Sequence, residues 1–245
     1  MTPTPVGMRC PECARQRTKV TRGVGSASFA ARAPATFVLI AINVVVYLIE
    51  IAKGHGGLEA TANSLLFEFG LFGPSVAEGE WYRLLTSGFI HGGIWHIAGN
   101  MVLLFFLGRL LEPGIGTPRF LAIYFASLFA GSLGALAMTP DALAFGASGA
   151  VFGVMAATFV IARGRGVDAL ASTIGILILF NIAFSFGVRG ISLGAHLGGL
   201  AAGFLCALLV IAGDRGMLGR RRVLAELSAM TAIGAVAIAL SLAVA

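Results

Sequence analysis

The chain has 245 residues, 58% of them hydrophobic and only 11% charged, with a mean hydropathy of +0.92 and a formal net charge of +6. That balance excludes an ordinary soluble globular domain, in which about a quarter of residues carry charge. It points to a membrane protein whose basic residues gather at the ends of apolar segments, not on a nucleic-acid-binding face interleaved with aromatics.

Residues 1–34 form a basic stretch containing Gly and Pro. Within it, Cys10-Pro-Glu-Cys13 has the CxxC spacing of half a zinc ribbon, yet no second pair follows to complete four ligands. Two reduced thiols in a cytoplasmic tail are the plainer reading, and an intermolecular metal site is the alternative. The first apolar run, Ala35 to Ala52, carries no small-residue cleavage pattern, so an anchor that stays attached is expected.

Lys53 to Trp95 is the one long connection. Its stretches Leu58 to Gly73 and Trp81 to Ile90 mix Leu, Phe, Trp and Ile with charges, which predicts segments lying in the membrane interface with Trp81 as an aromatic anchor. Arg83 has the donors to brace that loop, or is simply solvated; His55 reads as surface. Six further apolar runs follow: His96 to Leu111, Phe120 to Met138, Leu143 to Ala162, Ala169 to Phe186, Ile191 to Ala212 and Val223 to Ala245. A span needs about 20 predominantly apolar residues. These runs lack the period-2 alternation of barrel strands, so the predicted fold is an all-α polytopic transmembrane helical bundle. Cys206 reads as a small packing residue in the sixth span.

Lys and Arg placement predicts the orientation. With a cytoplasmic N-terminus, fourteen of the seventeen basic residues fall on that side, leaving Lys53, Arg83 and Arg189 opposite. Short connections make sequential helices neighbours running in alternate directions. The second, fourth and sixth spans then share a direction. His96 and Asn100 open the second, Ser148 lies near the start of the fourth, and His196 about five residues into the sixth. At about 1.5 Å rise per residue, all four sit within roughly 10 Å of the outer ends of their helices.

A serine is a weak nucleophile until a base takes its proton, and neutral histidine is the usual partner. A lone membrane serine mostly bonds its own backbone, whereas membrane histidines are rare and mostly functional. Ser148 as nucleophile and His196 as base is therefore the expected pair. Gly199 and Gly203 form a small-residue face that can meet Gly149 and Gly153 closely enough for this contact. His96 and Asn100, four residues apart, share one helix face. Together with the Ser148 and Ala147 backbone N–H groups they are candidate oxyanion donors; removing one such donor typically costs about 100 to 1,000-fold in rate. His91, in the Gly-rich turn before the second span, reads as loop-fixing. Asp141 and Asp168 lie in the wrong places for a third member, so a Ser-His dyad is expected, its ring oriented by packing on Phe152.

The stretches His91-Gly-Gly-Ile-Trp-His96-Ile-Ala-Gly-Asn100, Gly146-Ala-Ser148-Gly149 and Gly194-Ala-His196-Leu-Gly-Gly199 resemble the rhomboid family of intramembrane serine proteases, in order and in helix. The resemblance implies a six-helix core over 35–212, with the loop 53–95, preceded by the 1–34 tail and followed by a basic loop and seventh helix over 213–245. That is similar to the six-plus-one form of some bacterial members. It implies peptide-bond hydrolysis in or near transmembrane helices of substrate proteins, with no cofactor; the plasma membrane is the expected location, and the charge asymmetry puts the opening of the site on the non-cytoplasmic side. Trp81-Tyr-Arg83 looks like the family's first-loop signature and Glu112 like its acidic position at the inner end of helix two. Pro113-Gly114 stands where a basic residue is common, so no salt bridge is expected there, and Phe152 stands where tyrosine is common. Two other readings stay open: a metal-dependent membrane hydrolase or transporter using His91, His96 and His196, and an inactive relative that binds transmembrane clients uncut.

Overall fold

The computed structural model describes residues 2–4, 7–9, 33–54, 64–188, 190–218 and 221–245. Cys10, Cys13, His55 and Arg189, and part of the expected interfacial stretch from Leu58, lie outside the described residues. The chain divides into two compact units, Met1–Ala31 and Arg32–Ala245. In the first, strands β1 (Thr2–Thr4) and β2 (Gly7–Arg9) pair antiparallel, a ladder not expected from the sequence.

Among the described residues, seven long helices build the second unit: α1 (Pro34–Lys53), α2 (Ile94–Ile115), α3 (Thr117–Met138), α4 (Ser148–Gly164), α5 (Asp168–Gly187), α6 (Leu193–Asp214) and α7 (Arg222–Val244). Among the described residues, all but α4 are long and apolar enough to cross a membrane, and α4 is an apolar helix of 17 residues. This unit is an all-α polytopic helical bundle.

The start of α4 corrects the expected span from Leu143. Residues 139–147 descend as irregular chain, pinned by the Leu71 and Ala144 backbones, which exchange hydrogen bonds of 2.8 and 2.9 Å. Gly146 donates its N–H to Ser87 O at 2.8 Å and holds φ +114°, where only glycine sits without strain. An apolar run of this length reads as helix by composition alone, because periodicity cannot separate a buried extended segment from a buried helix.

Packing also departs from sequence order. The tightest pairs place α6 between α3 and α4, and α7 against α3. A Cβ on Gly199 or Gly203 would collide with the carbonyl oxygens of Gly149 and Gly153, and one on Gly194 or Gly198 with those of Gly134 and Ala130. Backbones this close need small residues on both helices, which is how apolar helices associate where no water drives burial.

Each end of the bundle is closed by its own polar links. At one end Glu112 accepts hydrogen bonds from the Ala35 and Thr36 N–H groups (3.0 and 2.9 Å) and from the Thr36 and Thr117 hydroxyls (2.7 Å each). Its carboxylate thus caps α1, where orphan N–H groups and the positive dipole end favour an anion. This explains Glu112 without a basic partner. The same end carries the Arg119–Glu226, Arg163–Asp168 and Arg165–Asp214 ion pairs. At the other end, Arg83 Nη1 donates to Phe67 O and Gly70 O at 2.7 Å each, and Ser132 Oγ donates to Leu84 O at 2.9 Å. Arg83 therefore braces the loop from inside, while Trp81 stays exposed.

Candidate active site

At the loop-covered end, α2, α4, α5 and α6 enclose a cavity of about 440 Å³ lined by His96, Asn100, Ser148, Ser185 and His196. Ser148 is the first residue of α4. Helix geometry leaves the first N–H groups of α4 without intrahelical partners, beside the positive end of its dipole. His196 lies in the first turn of α6, whose start is fixed by Ser192 Oγ accepting the Ala195 N–H at 3.2 Å.

The Ser148 hydroxyl lies 2.9 Å from His196 Nε2. The close approach of the Gly149/Gly153 and Gly199/Gly203 faces sets this distance. The His196 ring stacks on Phe152 at 4.0 Å between centroids, with 14° between planes. Its other nitrogen, Nδ1, lies 2.7 Å from Ser185 Oγ, a partner the sequence reading missed.

His96 and Asn100 face the same cavity from α2. Asn100 Nδ2 donates one hydrogen to His96 O at 2.9 Å, leaving its second amide hydrogen to serve a ligand. The His96 ring fits over Gly146, where a Cβ would lie 2.6 Å from its Nε2.

His91 is fully buried beneath the site. Its N–H donates to the Glu50 carboxylate at 3.0 and 3.2 Å, its Nδ1 donates to Phe89 O at 3.3 Å, and its Nε2 accepts the Ala147 N–H at 3.5 Å. Burial first, and then the neighbouring His96 ring, push this imidazole down to about 3, so it stays neutral and able to accept. Two consequences follow. The Ala147 N–H, expected among the oxyanion donors, is instead used by His91. Both His91 nitrogens are also occupied, which removes the residue from any three-histidine metal set; among the described residues no cluster of three or more His, Cys, Asp or Glu is arranged to hold a metal.

Glu50 and Ser185 were not singled out from sequence. Glu50 is a carboxylate inside an apolar span with 0% exposure. Ser185 follows Asn181 by four residues on an otherwise apolar helix, so the two share a face that lines the cavity. A charge in an apolar span and a polar pair four residues apart are signals that a polar group is buried, but neither names the group it meets.

A family model described as the Rhomboid domain matches residues 78–213. The chain is 35% identical over 204 residues to rhomboid protease GluP of Bacillus subtilis (strain 168), covering 81% of this chain and 39% of that protein. It is 36% identical over 140 residues to the putative rhomboid protease YdcA of the same organism, covering 56% of this chain and 70% of that one. Rhomboid-like protease 3 of Toxoplasma gondii is 30% identical over 167 residues, 65% of this chain and 63% of that protein. The chain thus spans well under half the length of GluP.

Proposed function

The chain belongs to the rhomboid family, and from that premise we propose that it is an intramembrane serine endopeptidase that cuts peptide bonds in or near the transmembrane helices of membrane-protein substrates. The observation that carries this reading is the 2.9 Å contact between Ser148 Oγ and His196 Nε2, inside a cavity that also presents a helix N-terminus.

Ser148 Oγ attacks the substrate carbonyl while its proton passes to His196 Nε2. The negative charge that develops on the carbonyl oxygen is met by the free Asn100 amide hydrogen, a His96 N–H and the Ser148 backbone N–H. Collapse of the tetrahedral intermediate expels the amine, which takes the proton from His196. Water then repeats the sequence on the acyl-enzyme and frees Ser148. A helix hides its carbonyls in its own hydrogen bonds, so the substrate must unwind locally; entry between α2 and α5, which flank the cavity, gives it room. Arg and Lys asymmetry supports a cytoplasmic N-terminus and a site facing the other side; the plasma membrane is the location that goes with this reading.

Reconstitution into liposomes with a single-pass helical substrate tests the proposal, with fragments sized by mass spectrometry. Ser148→Ala and His196→Ala are each expected to lower turnover by about 10⁶-fold, by analogy with other serine proteases. Undiminished cleavage in either variant overturns it.

A further inference from the structure

Helix α5 buries only Ala171, Ile174 and Ser185, so Ser185 is its one buried polar group. A helical serine ordinarily turns its hydroxyl back to the carbonyl four residues earlier. Ser185 does so, with Oγ 2.7 Å from Asn181 O. That local bond leaves the second contact, 2.7 Å to His196 Nδ1, to be explained.

A hydroxyl has one proton to give and lone pairs to receive. The Asn181 carbonyl can only accept, so the Ser185 proton goes to it. Oγ must then accept from His196, whose Nδ1 carries the hydrogen. A neutral imidazole protonated on Nδ1 has its lone pair on Nε2, the atom that faces Ser148 at 2.9 Å. The opposite tautomer would leave Nδ1 and the Asn181 carbonyl competing for one proton and would turn an N–H toward Ser148.

We propose that Ser185 is a positioning residue for His196: a neutral acceptor that holds the imidazole in the Nδ1–H tautomer and aims its Nε2 lone pair at Ser148. It takes the position that a carboxylate occupies in a three-residue catalytic chain, with the dipole of the Asn181 carbonyl aligned behind it. The role rests on the reading of His196 as the base. When Ser148 loses its proton to Nε2 and bonds to the substrate carbonyl carbon, the imidazolium that forms directs its Nδ1–H at Ser185 Oγ. That hydrogen bond is then charge-assisted and stronger than in the resting state, so it favours the transition state over the ground state.

The test compares the full-length protein in liposomes as wild type, Ser185→Ala and Ser185→Thr, with ¹⁵N spectra of histidine-labelled samples read for the His196 nitrogens. Ser185→Ala is expected to lose roughly 10 to 100-fold in kcat, the range of a hydrogen bond to a charged group, with KM unchanged. Ser185→Thr keeps the hydroxyl and should recover most of that loss. The spectra should show hydrogen on Nδ1 in wild type and Thr, and mixed tautomers in Ala. Unchanged kcat in Ser185→Ala, a loss confined to KM, or a wild-type His196 protonated on Nε2 overturns the proposal; the last needs no variant to fold. Wild-type cleavage by Ser148→Ala would instead sink the protease reading, whereas an inactive Ser148→Ala beside an undiminished Ser185→Ala sinks only the positioning role.

Discussion

Helices α4 and α5 are neighbours of similar apolar composition that meet opposite environments. Thirteen of the 17 residues of α4 are buried, against three of 20 in α5. Protein surrounds the first, while Ile176, Leu179, Phe180 and Phe186 leave the second facing outward, where lipid is the natural partner. His196 is held between them, its ring stacked on Phe152 of α4 and its Nδ1 bonded to Ser185 of α5. A reacting hydroxyl is best carried by the buried helix, because its position must hold to a fraction of an ångström. The lipid-facing helix supplies one buried hydroxyl and otherwise meets a solvent as apolar as itself.

Among changes outside the reacting pair, the largest expected effect comes from prising α4 away from its partner. In Gly199→Val the new side chain meets the Gly149 carbonyl oxygen and must separate α4 from α6. A displacement of about 1 Å between Ser148 and His196 costs on the order of 100-fold in kcat, readable in the liposome assay; retained activity would show that the two helices need not touch.

Core truncation comes next. Met155 is fully buried on α4, and Met155→Ala should lower the unfolding free energy by about 2 kcal/mol, the low end for such changes. In a membrane the cavity left behind contributes to that loss while the usual gain from leaving water is small. Denaturant titration in mild detergent measures it.

Acid probes how α4 is entered. With the His91 imidazole held at about 3 in the folded protein against 6.5 ordinarily, the unfolded chain takes up a proton that the folded site refuses. The contribution is complete above about pH 6.5 and is lost as pH falls from there toward about 3. Melting temperature should therefore drop on acidification, with a shallower slope in His91→Gln; equal slopes would show that the protons bind elsewhere. The smallest effect belongs to α5. Leu179 is 69% exposed, and Leu179→Ala should change stability by less than about 0.5 kcal/mol.

Much of the frame was readable from the chain. Each of the seven apolar runs corresponds to a helix, because a run of about 20 residues with few charges is a local signal that lipid interprets in one way. The start of α4 was not readable, since the bonds that hold 139–147 out of a helix come from Leu71 and Ser87, about sixty to seventy residues earlier. At the site, Ser148, His196, His96 and Asn100 stood out because polar groups in apolar segments are costly and convergent depth is rare. Glu50 and Ser185 resembled lone polar residues near helix ends. Their partners, the His91 N–H and the His196 ring, lie 41 and 11 residues away.

By itself the sequence determined a membrane bundle of seven apolar helices and the rhomboid motifs carried on the second, fourth and sixth. Both are properties of short stretches, read from composition and spacing. Tertiary structure alone decided that α6 lies between α3 and α4, that the Ala147 N–H is taken by His91, and that a serine from α5 meets the far side of His196. The physical reason is that a hydrogen bond has a reach of about 3 Å. Which donor meets which acceptor depends on how closely two backbones can approach, and that is set by small residues on different helices, far apart in the chain.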